Sequence, residues 1–412
     1  MYPNPIFYLS QLLTMHYQSY RLNIIWIFTI LLGLTLPYGN VTKLFGIEDG
    51  FSRLIIPVLV LLFLLRELQS KDIRISLSGE INLFLIGIIV SLFGLIIGNV
   101  SIQSYIGYSV KILVLITVYT VLTRHKEFTT MFIKSYERIF LFSLMFSIPI
   151  WFIFPMPEFV FYDGKHNRFG GFHFELFNYS FSLCIFYASW ILSGRKWYVG
   201  FLIFLCLGYL SKSNMFSFFF LTFLLPNFFF RLCNYKTFSI ILVCCVFFMP
   251  VVIGLFLNSF EFLMHLGIRS QSTDVFSATH STVFLRVYPY SIAAEYLTTN
   301  GVWSLLPSGL GHFENTAMVL GDPYSFKGTG SPKALVDLGL ILFLTLTYLI
   351  GNRMRRVYKL WDKNKYVVLK LYLCCLLFIS FGAGFFNLIA WTVIFALSSK
   401  NLRLYDKTIL HR

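Results

Sequence analysis

The chain reads as long apolar runs cut by short polar stretches. Such runs fall at 22–38, 54–65, 81–100, 105–122, 139–155, 174–193, 197–210, 215–230, 238–260, 334–350, 366–381 and 385–398. None alternates apolar with polar at a period of two, as the strands of a membrane barrel would. Most come close to the length that crosses a bilayer as a helix, about 20 residues. The run at 54–65 is short, and the last two nearly merge. The pattern predicts an all-α polytopic membrane protein, a single integral domain over 1–412 with about twelve transmembrane helices. Polar segments outside those runs are short, with two exceptions. A large external loop covers 261–332, between the ninth and tenth helices, and a second external segment covers 156–173. Within the large loop, 282–298 has the pattern of an amphipathic helix, with Pro289 in its early turns.

Composition narrows the class further. Of 412 residues, 57% are hydrophobic and only 12% are charged, whereas globular proteins run near 45–50% and about 25%. A soluble enzyme and a disordered chain are thereby excluded. The net charge of +15 would suggest nucleic acid in a soluble protein, but here the position of the charges decides. Basic residues collect in alternate loops: Arg66, Lys71 and Arg74, then Arg124, Lys126, Lys134 and Arg138, and most densely Arg353, Arg355, Arg356, Lys359, Lys363 and Lys365. This bias predicts cytoplasmic N- and C-termini and an even number of spans. The charge is topology and implies no nucleic-acid partner.

Several motifs fail on inspection. Gly328 to Lys333 holds glycines and a lysine but lacks the Gly-Lys-Ser/Thr of a phosphate loop. No Asp-x-Asp occurs, and none of the seven cysteines has zinc-site spacing with histidine. The reading therefore assigns no metal and no cofactor.

An ordered set of short motifs remains. Arg168-Phe-Gly-Gly-Phe-His-Phe-Glu175 is followed by Asn178, then by a Ser211-Lys212-Ser213 turn and by Arg286 at the start of the loop helix. Gly309-Leu-Gly311-His312-Phe comes next, and Ser331-Pro-Lys333-Ala-Leu-Val-Asp337-Leu-Gly339 enters the tenth helix. This order resembles the bacterial O-antigen polymerase and ligase superfamily of integral membrane glycosyltransferases. The resemblance covers about 168–350. It implies a bacterial inner membrane location and a reaction at the periplasmic face on undecaprenyl-diphosphate-linked oligosaccharide repeat units. Membrane lipids and a chain-length regulator protein are the other partners it implies, and the transfer is metal-independent.

Such a transfer needs cations on the departing diphosphate, and an arginine fork binds phosphate oxygens in pairs. Arg168 and Arg286 are the catalytic candidates of that kind. Glu175 opens an otherwise apolar helix, where a carboxylate is costly and marks a functional hypothesis. With Asn178 and Ser182 it lies at i, i+3, i+7, on one helical face. It is the candidate for orienting an arginine, holding sugar hydroxyls or accepting the attacking proton. Asn178, Lys212, His280, Gly309, Gly311, His312, Lys327 and Lys333 are the substrate-binding candidates. Lys333 and Asp337, four apart, would pair with each other on a plain reading. Superfamily ligases carry a histidine where this chain has Gly330-Ser331-Pro332-Lys333, which favours a polymerase over a ligase. A flippase for the same lipid-linked sugars is the alternative from another class. It predicts ionisable residues near helix midpoints.

Overall fold

The structure is a computed structural model that describes residues 76–124, 128–153, 169–170, 176–256, 284–314, 330–361, 364–382 and 384–399. The runs at 22–38 and 54–65 lie outside the described residues, as do most of the two external segments. Among the described residues every regular element is helical. In chain order these are α1 (Gly79–Ile97), α2 (Ile102–Arg124), α3 (Phe128–Ile153), α4 (Leu176–Leu192), α5 (Trp197–Ser211), α6 (Asn214–Leu224), α7 (Asn227–Arg231), α8 (Lys236–Phe256), α9 (Phe284–Thr299), α10 (Ser331–Leu360), α11 (Lys365–Phe381) and α12 (Leu388–Leu397). Four of them, α1, α2, α8 and α10, are long and apolar enough to cross a membrane, and α6 with α7 makes a fifth if the bent pair is one span. Large apolar side chains stand exposed along them, Ile96, Ile97 and Leu344 among others. This is a helical membrane protein.

Three elements depart from the run pattern for identifiable reasons. The apolar stretch 215–230 divides at Pro226 into α6 and α7, bent by 74°, because proline removes a helical N–H and clashes with the preceding turn. α3 begins well before 139, since Phe128 to Arg138 continues the helix through polar residues. α10 extends beyond 350 to Leu360 and is broken internally at Gly339, whose φ of 70° only glycine adopts readily. A Cβ there would also strike the carbonyl of Leu306.

The chain divides into two compact units, one comprising 1–56 with 125–216 and the other 57–124 with 217–412. In the first, α4 packs between α3 and α5. Glu137 of α3 pairs with Arg195 at 2.9 Å, and the Arg195 guanidinium lies 4.7 Å from the Trp190 ring centre.

In the second unit α10 is the hub and touches α1, α8, α9 and α11, while α12 closes against α2 and α11. Lipid tails are as apolar as leucine, so close packing holds such helices together. Small residues make the approaches: Gly351 of α10 faces the backbone of Ile240 on α8, where a Cβ would come within 2.7 Å of the Ile240 Cα. Phe84, Phe385, Phe386 and Trp391 fill the interior with edge-on ring contacts of 5.0–6.5 Å. One buried ion pair ties three helices at one end. Arg353 of α10 donates to both carboxylate oxygens of Glu80 on α1, at 2.8 and 2.6 Å, and to the Ser398 hydroxyl after α12 at 2.8 Å. The basic pattern puts Arg353 in a cytoplasmic loop. It is instead a buried helical residue, because Glu80 neutralises its charge and, with Ser398, takes three of its five donors.

Candidate active site

At the other end of α10, the break at Gly339 exposes the backbone of Asp337 to a loop. The Asp337 carbonyl accepts the N–H groups of Ser308 and Gly309 at 3.2 and 3.0 Å. Its carboxylate accepts those of Gly311 at 3.0 Å and Phe313 at 2.8 Å. One fully buried aspartate thus organises the loop through four backbone donors, the concave arrangement that binds anions elsewhere. Gly309 and Gly311 stand at φ of 101° and 97°. A Cβ on Gly309 would lie 2.9 Å from the Ser91 Cα, and one on Gly311 would lie 2.7 Å from the Ser104 Cβ. These glycines, assigned to substrate from the sequence, therefore serve first to wrap the loop around Asp337. Phe313 is buried with Ile292 and Ala293 of α9 and Val336 of α10, and this fixes where the next residue falls.

That residue is Glu314. Its carboxylate pairs with Lys333, accepts the Ser104 hydroxyl at 2.7 Å and accepts the Tyr108 hydroxyl at 3.3 Å. Lys333 and Lys111 sit 4.9 and 5.0 Å from the centre of the Tyr108 ring, within cation–π range. Burial alone would raise the Glu314 pKa. The Lys333 charge and hydrogen bond, the Ser104 hydroxyl and Lys111 outweigh it and hold the carboxyl below its ordinary 4.5. Glu314 is thus ionised at neutral pH, a hydrogen-bond acceptor and a weak base. Lys333 does not take Asp337 as its partner, contrary to the four-residue spacing. Phe313 places a nearer carboxylate in front of it, and the backbone claims Asp337. The cluster thus sets two lysines, Lys333 and Lys111, beside Glu314 and the buried Asp337, bordered by the Ser104 and Tyr108 hydroxyls.

His312 stands beside this cluster, half-buried. Burial lowers its pKa below 6.5, against the Asn99 carbonyl, which raises it. Its Nδ1 lies 3.4 Å from that carbonyl. A carbonyl only accepts, so Nδ1 carries the proton and Nε2 the lone pair. The imidazole is neutral at pH 7 and chemically able to accept a proton. Tyr296 and Ser308 bond through their hydroxyls at 2.5 Å nearby.

The remaining candidates divide by unit. Arg168, Glu175, His280 and Lys327 lie outside the described residues. Arg286 is in the first turn of α9, where only the backbone is described. In the first unit Phe169 is buried and donates to the Leu210 carbonyl at 3.0 Å, tying the Phe169-Gly170 step to the end of α5. Lys212 follows there, exposed and at a φ of 47°, which is rare for a side-chain-bearing residue. Asn178 on α4 has a buried Oδ1 that meets no hydrogen-bond partner among the described residues, an open acceptor of the sort that calls for explanation.

Ser104, Tyr108, Lys111 and Glu314 are additions to the residues singled out from sequence. Their one signal in the chain is Glu314's place directly after the Gly-Leu-Gly-His-Phe motif. Among the described residues no group of His, Cys, Asp and Glu is arranged to hold a metal. No family model matches the chain, and no curated protein or solved structure does so either.

Proposed function

We propose that this chain is a membrane glycosyltransferase of the O-antigen polymerase kind. In this reading about twelve helices span the bacterial inner membrane, both termini are cytoplasmic, and the loop 261–332 lies in the periplasm. The enzyme joins undecaprenyl-diphosphate-linked oligosaccharide repeats. An acceptor-sugar hydroxyl attacks the anomeric carbon of the donor, and the bond to diphosphate breaks with its electron pair leaving on the phosphate oxygen. The acceptor's proton passes to a base; the resemblance implies Glu175 for that role, and in the second unit His312 is the group chemically able to take it. In the second unit Lys333 and Lys111 neutralise the charge that develops on the leaving diphosphate, where preorganised cations act most strongly; Arg168 and Arg286 are the cations that the resemblance implies. Glu314 holds Lys333 in place and lends its hydroxyl partners to the sugars.

The observation that carries this reading is the distribution of charge along α10. Lys333 and Asp337 stand near its start and Arg353 near its far end. Residues 338–352 between them contain no Asp, Glu, Lys, Arg or His. From the break at Gly339 to Arg353 the helix runs about 14 residues, or about 21 Å, most of the thickness of the hydrocarbon core. On α10 a flippase would need ionisable groups in that interval and an enzyme of one membrane face would not; Lys111, near the middle of α2, is the ionisable residue that does not follow this division. Deletion of the gene and inspection of the surface glycan tests the proposal. Lipid-anchored glycan capped with single repeats is the expected result. Free lipid-linked polymer would indicate a ligase instead, and cytoplasmic accumulation of repeats a flippase.

A further inference from the structure

The opposite end of α10 carries a second feature that the transfer reaction does not use. A cleft of about 600 Å³ opens there, between the start of α1 and the last turns of α10, a volume in the range of small-ligand sites. Ser78, Gly79, Tyr119, Asn352 and Arg353 are among the residues that line it. Arg353 is neutralised by Glu80. That leaves Arg355, Arg356 and Lys359 as the cations of the rim. Arg355 donates through Nε to the Asn234 carbonyl at 3.0 Å, which fixes it in position while its remaining donors stay available. Among the described residues neither Arg356 nor Lys359 has a carboxylate partner. The N-terminus of α1 adds only the positive end of its dipole, since Ser78 already caps the Ile81 N–H at 3.3 Å.

The chemistry of one helical face extends beyond the cleft. Ile341, Leu344 and Tyr348 of α10 are exposed, at i, i+3, i+7. Asn352, Arg355 and Lys359 continue the same stripe at helical spacing into the cleft. Going down the helix, this face is apolar for about two turns and then cationic. Tyr348 marks the junction, its hydroxyl accepting from the Lys236 ammonium at 2.7 Å. An isolated anion would use only the cationic part. A molecule with an anionic head and an apolar tail would use both.

We propose that this cleft binds the phosphate headgroup of an acidic phospholipid, with an acyl chain lying along Ile341, Leu344 and Tyr348. Basic pockets between spanning helices on the inner side bind such headgroups. The site stands on the membrane-spanning character of α1 and α10 and holds whether or not the protein polymerises glycan.

The test uses the full-length protein in nanodiscs and native mass spectrometry of lipid carried through release. With phosphatidylcholine discs containing a minor fraction of phosphatidylglycerol, the wild-type chain is expected to retain phosphatidylglycerol selectively. Arg356→Gln with Lys359→Gln removes two exposed cations without touching the core and should weaken retention about 25-fold, at a factor of about five per basic residue near the membrane surface. Lys365→Gln, a basic change of the same kind on α11, should leave retention unchanged. Millimolar inorganic phosphate should not displace the lipid. Equal retention by the wild-type chain and the double variant would overturn the proposal, as would equal loss in Lys365→Gln. Displacement by inorganic phosphate would assign the cleft to a soluble anion and overturn the lipid.

Discussion

The two ends of α10 hold the same ingredients and arrange them for different ends. At Arg353 the guanidinium fork meets Glu80 with two hydrogen bonds and Ser398 with a third. Three of its five donors are taken by protein, both charges are buried, and the result is a clasp among α1, α10 and the end of α12. At Lys333 the ammonium is about as buried as Arg353, and it is the partner Glu314 that differs, its side chain remaining 40% exposed. The second ammonium, Lys111, lies over the face of Tyr108. Saturated charge stabilises a fold; incompletely covered charge beside hydroxyls leaves capacity for a polyanionic ligand. The difference lies in partners rather than in residue types, and it separates architecture from chemistry on a single helix.

The comparison breaks most visibly at the clasp. Arg353→Ala strands the Glu80 carboxylate in the interior, and loss of one member of a buried pair costs about 3–5 kcal/mol. Thermal unfolding in detergent should show a large drop in stability and membranes should hold less protein. Replacing both members, Glu80→Leu with Arg353→Met, should restore most of that loss, since apolar residues of similar volume are often as stable as a buried pair. A double variant as unstable as Arg353→Ala would mean that the pair does more than satisfy its own charges.

Asp337→Asn comes next in size. The amide has one oxygen where the carboxylate had two, so either Gly311 or Phe313 loses its acceptor. An unsatisfied buried donor costs about 1–3 kcal/mol. Because this loop delivers Glu314, glycan output per inserted molecule should fall along with the melting temperature. Lower stability with unchanged output would separate the loop from the chemistry.

The smallest effects are those of pH. Glu314 titrates below its ordinary value in the folded chain, so the unfolded chain binds its proton first as pH drops. The stability it supplies is present above the ordinary carboxylate pKa and is lost as pH falls through the depressed folded value. His312 is also depressed, by burial, and the sign is the same: its contribution is present above 6.5 and declines as pH falls below it. Melting temperature measured from pH 8 to pH 3 should decline, and His312→Gln should flatten the curve between pH 7 and pH 5. Glu314→Gln should flatten only the acid limb. A curve unaltered by His312→Gln would show that the imidazole is solvated.

Much of the helical pattern is legible in the amino-acid sequence. Trp197 is the first residue of both the apolar run and α5, Phe381 closes both the eleventh run and α11, and the loop helix expected at 282–298 is Phe284–Thr299. Apolar periodicity and capping are local, so the chain displays them. The break at Gly339 is less legible, because a glycine inside an apolar run is ordinary in a membrane helix and only the Leu306 carbonyl above it shows that the break is needed. The site is legible in part. Its motif residues His312 and Lys333 do lie close to one cluster, but the partners that give them chemistry do not follow from spacing. Ser104 and Glu314 are 210 positions apart, and no local pattern announces such a contact. Arg353 misleads for a related reason: a basic run after a span looks like a loop until Glu80, 273 positions away, is brought against it.

The division between clasp and chemistry is tested most directly at Lys333. The measurement is polymer formed from a lipid-linked repeat per molecule of full-length protein in nanodiscs, for Lys333→Met beside the Glu80→Leu, Arg353→Met pair. Removing a cation from the developing diphosphate charge should lower the rate of Lys333→Met about 100- to 1,000-fold, with the protein still inserted and its melting temperature lowered less than in Arg353→Ala, because the Glu314 left behind is partly exposed. The paired replacement at the clasp should keep most of its rate. Near-normal polymer from Lys333→Met, with polymer lost in the paired replacement, would contradict the assignment and move the chemistry to the Arg353 end.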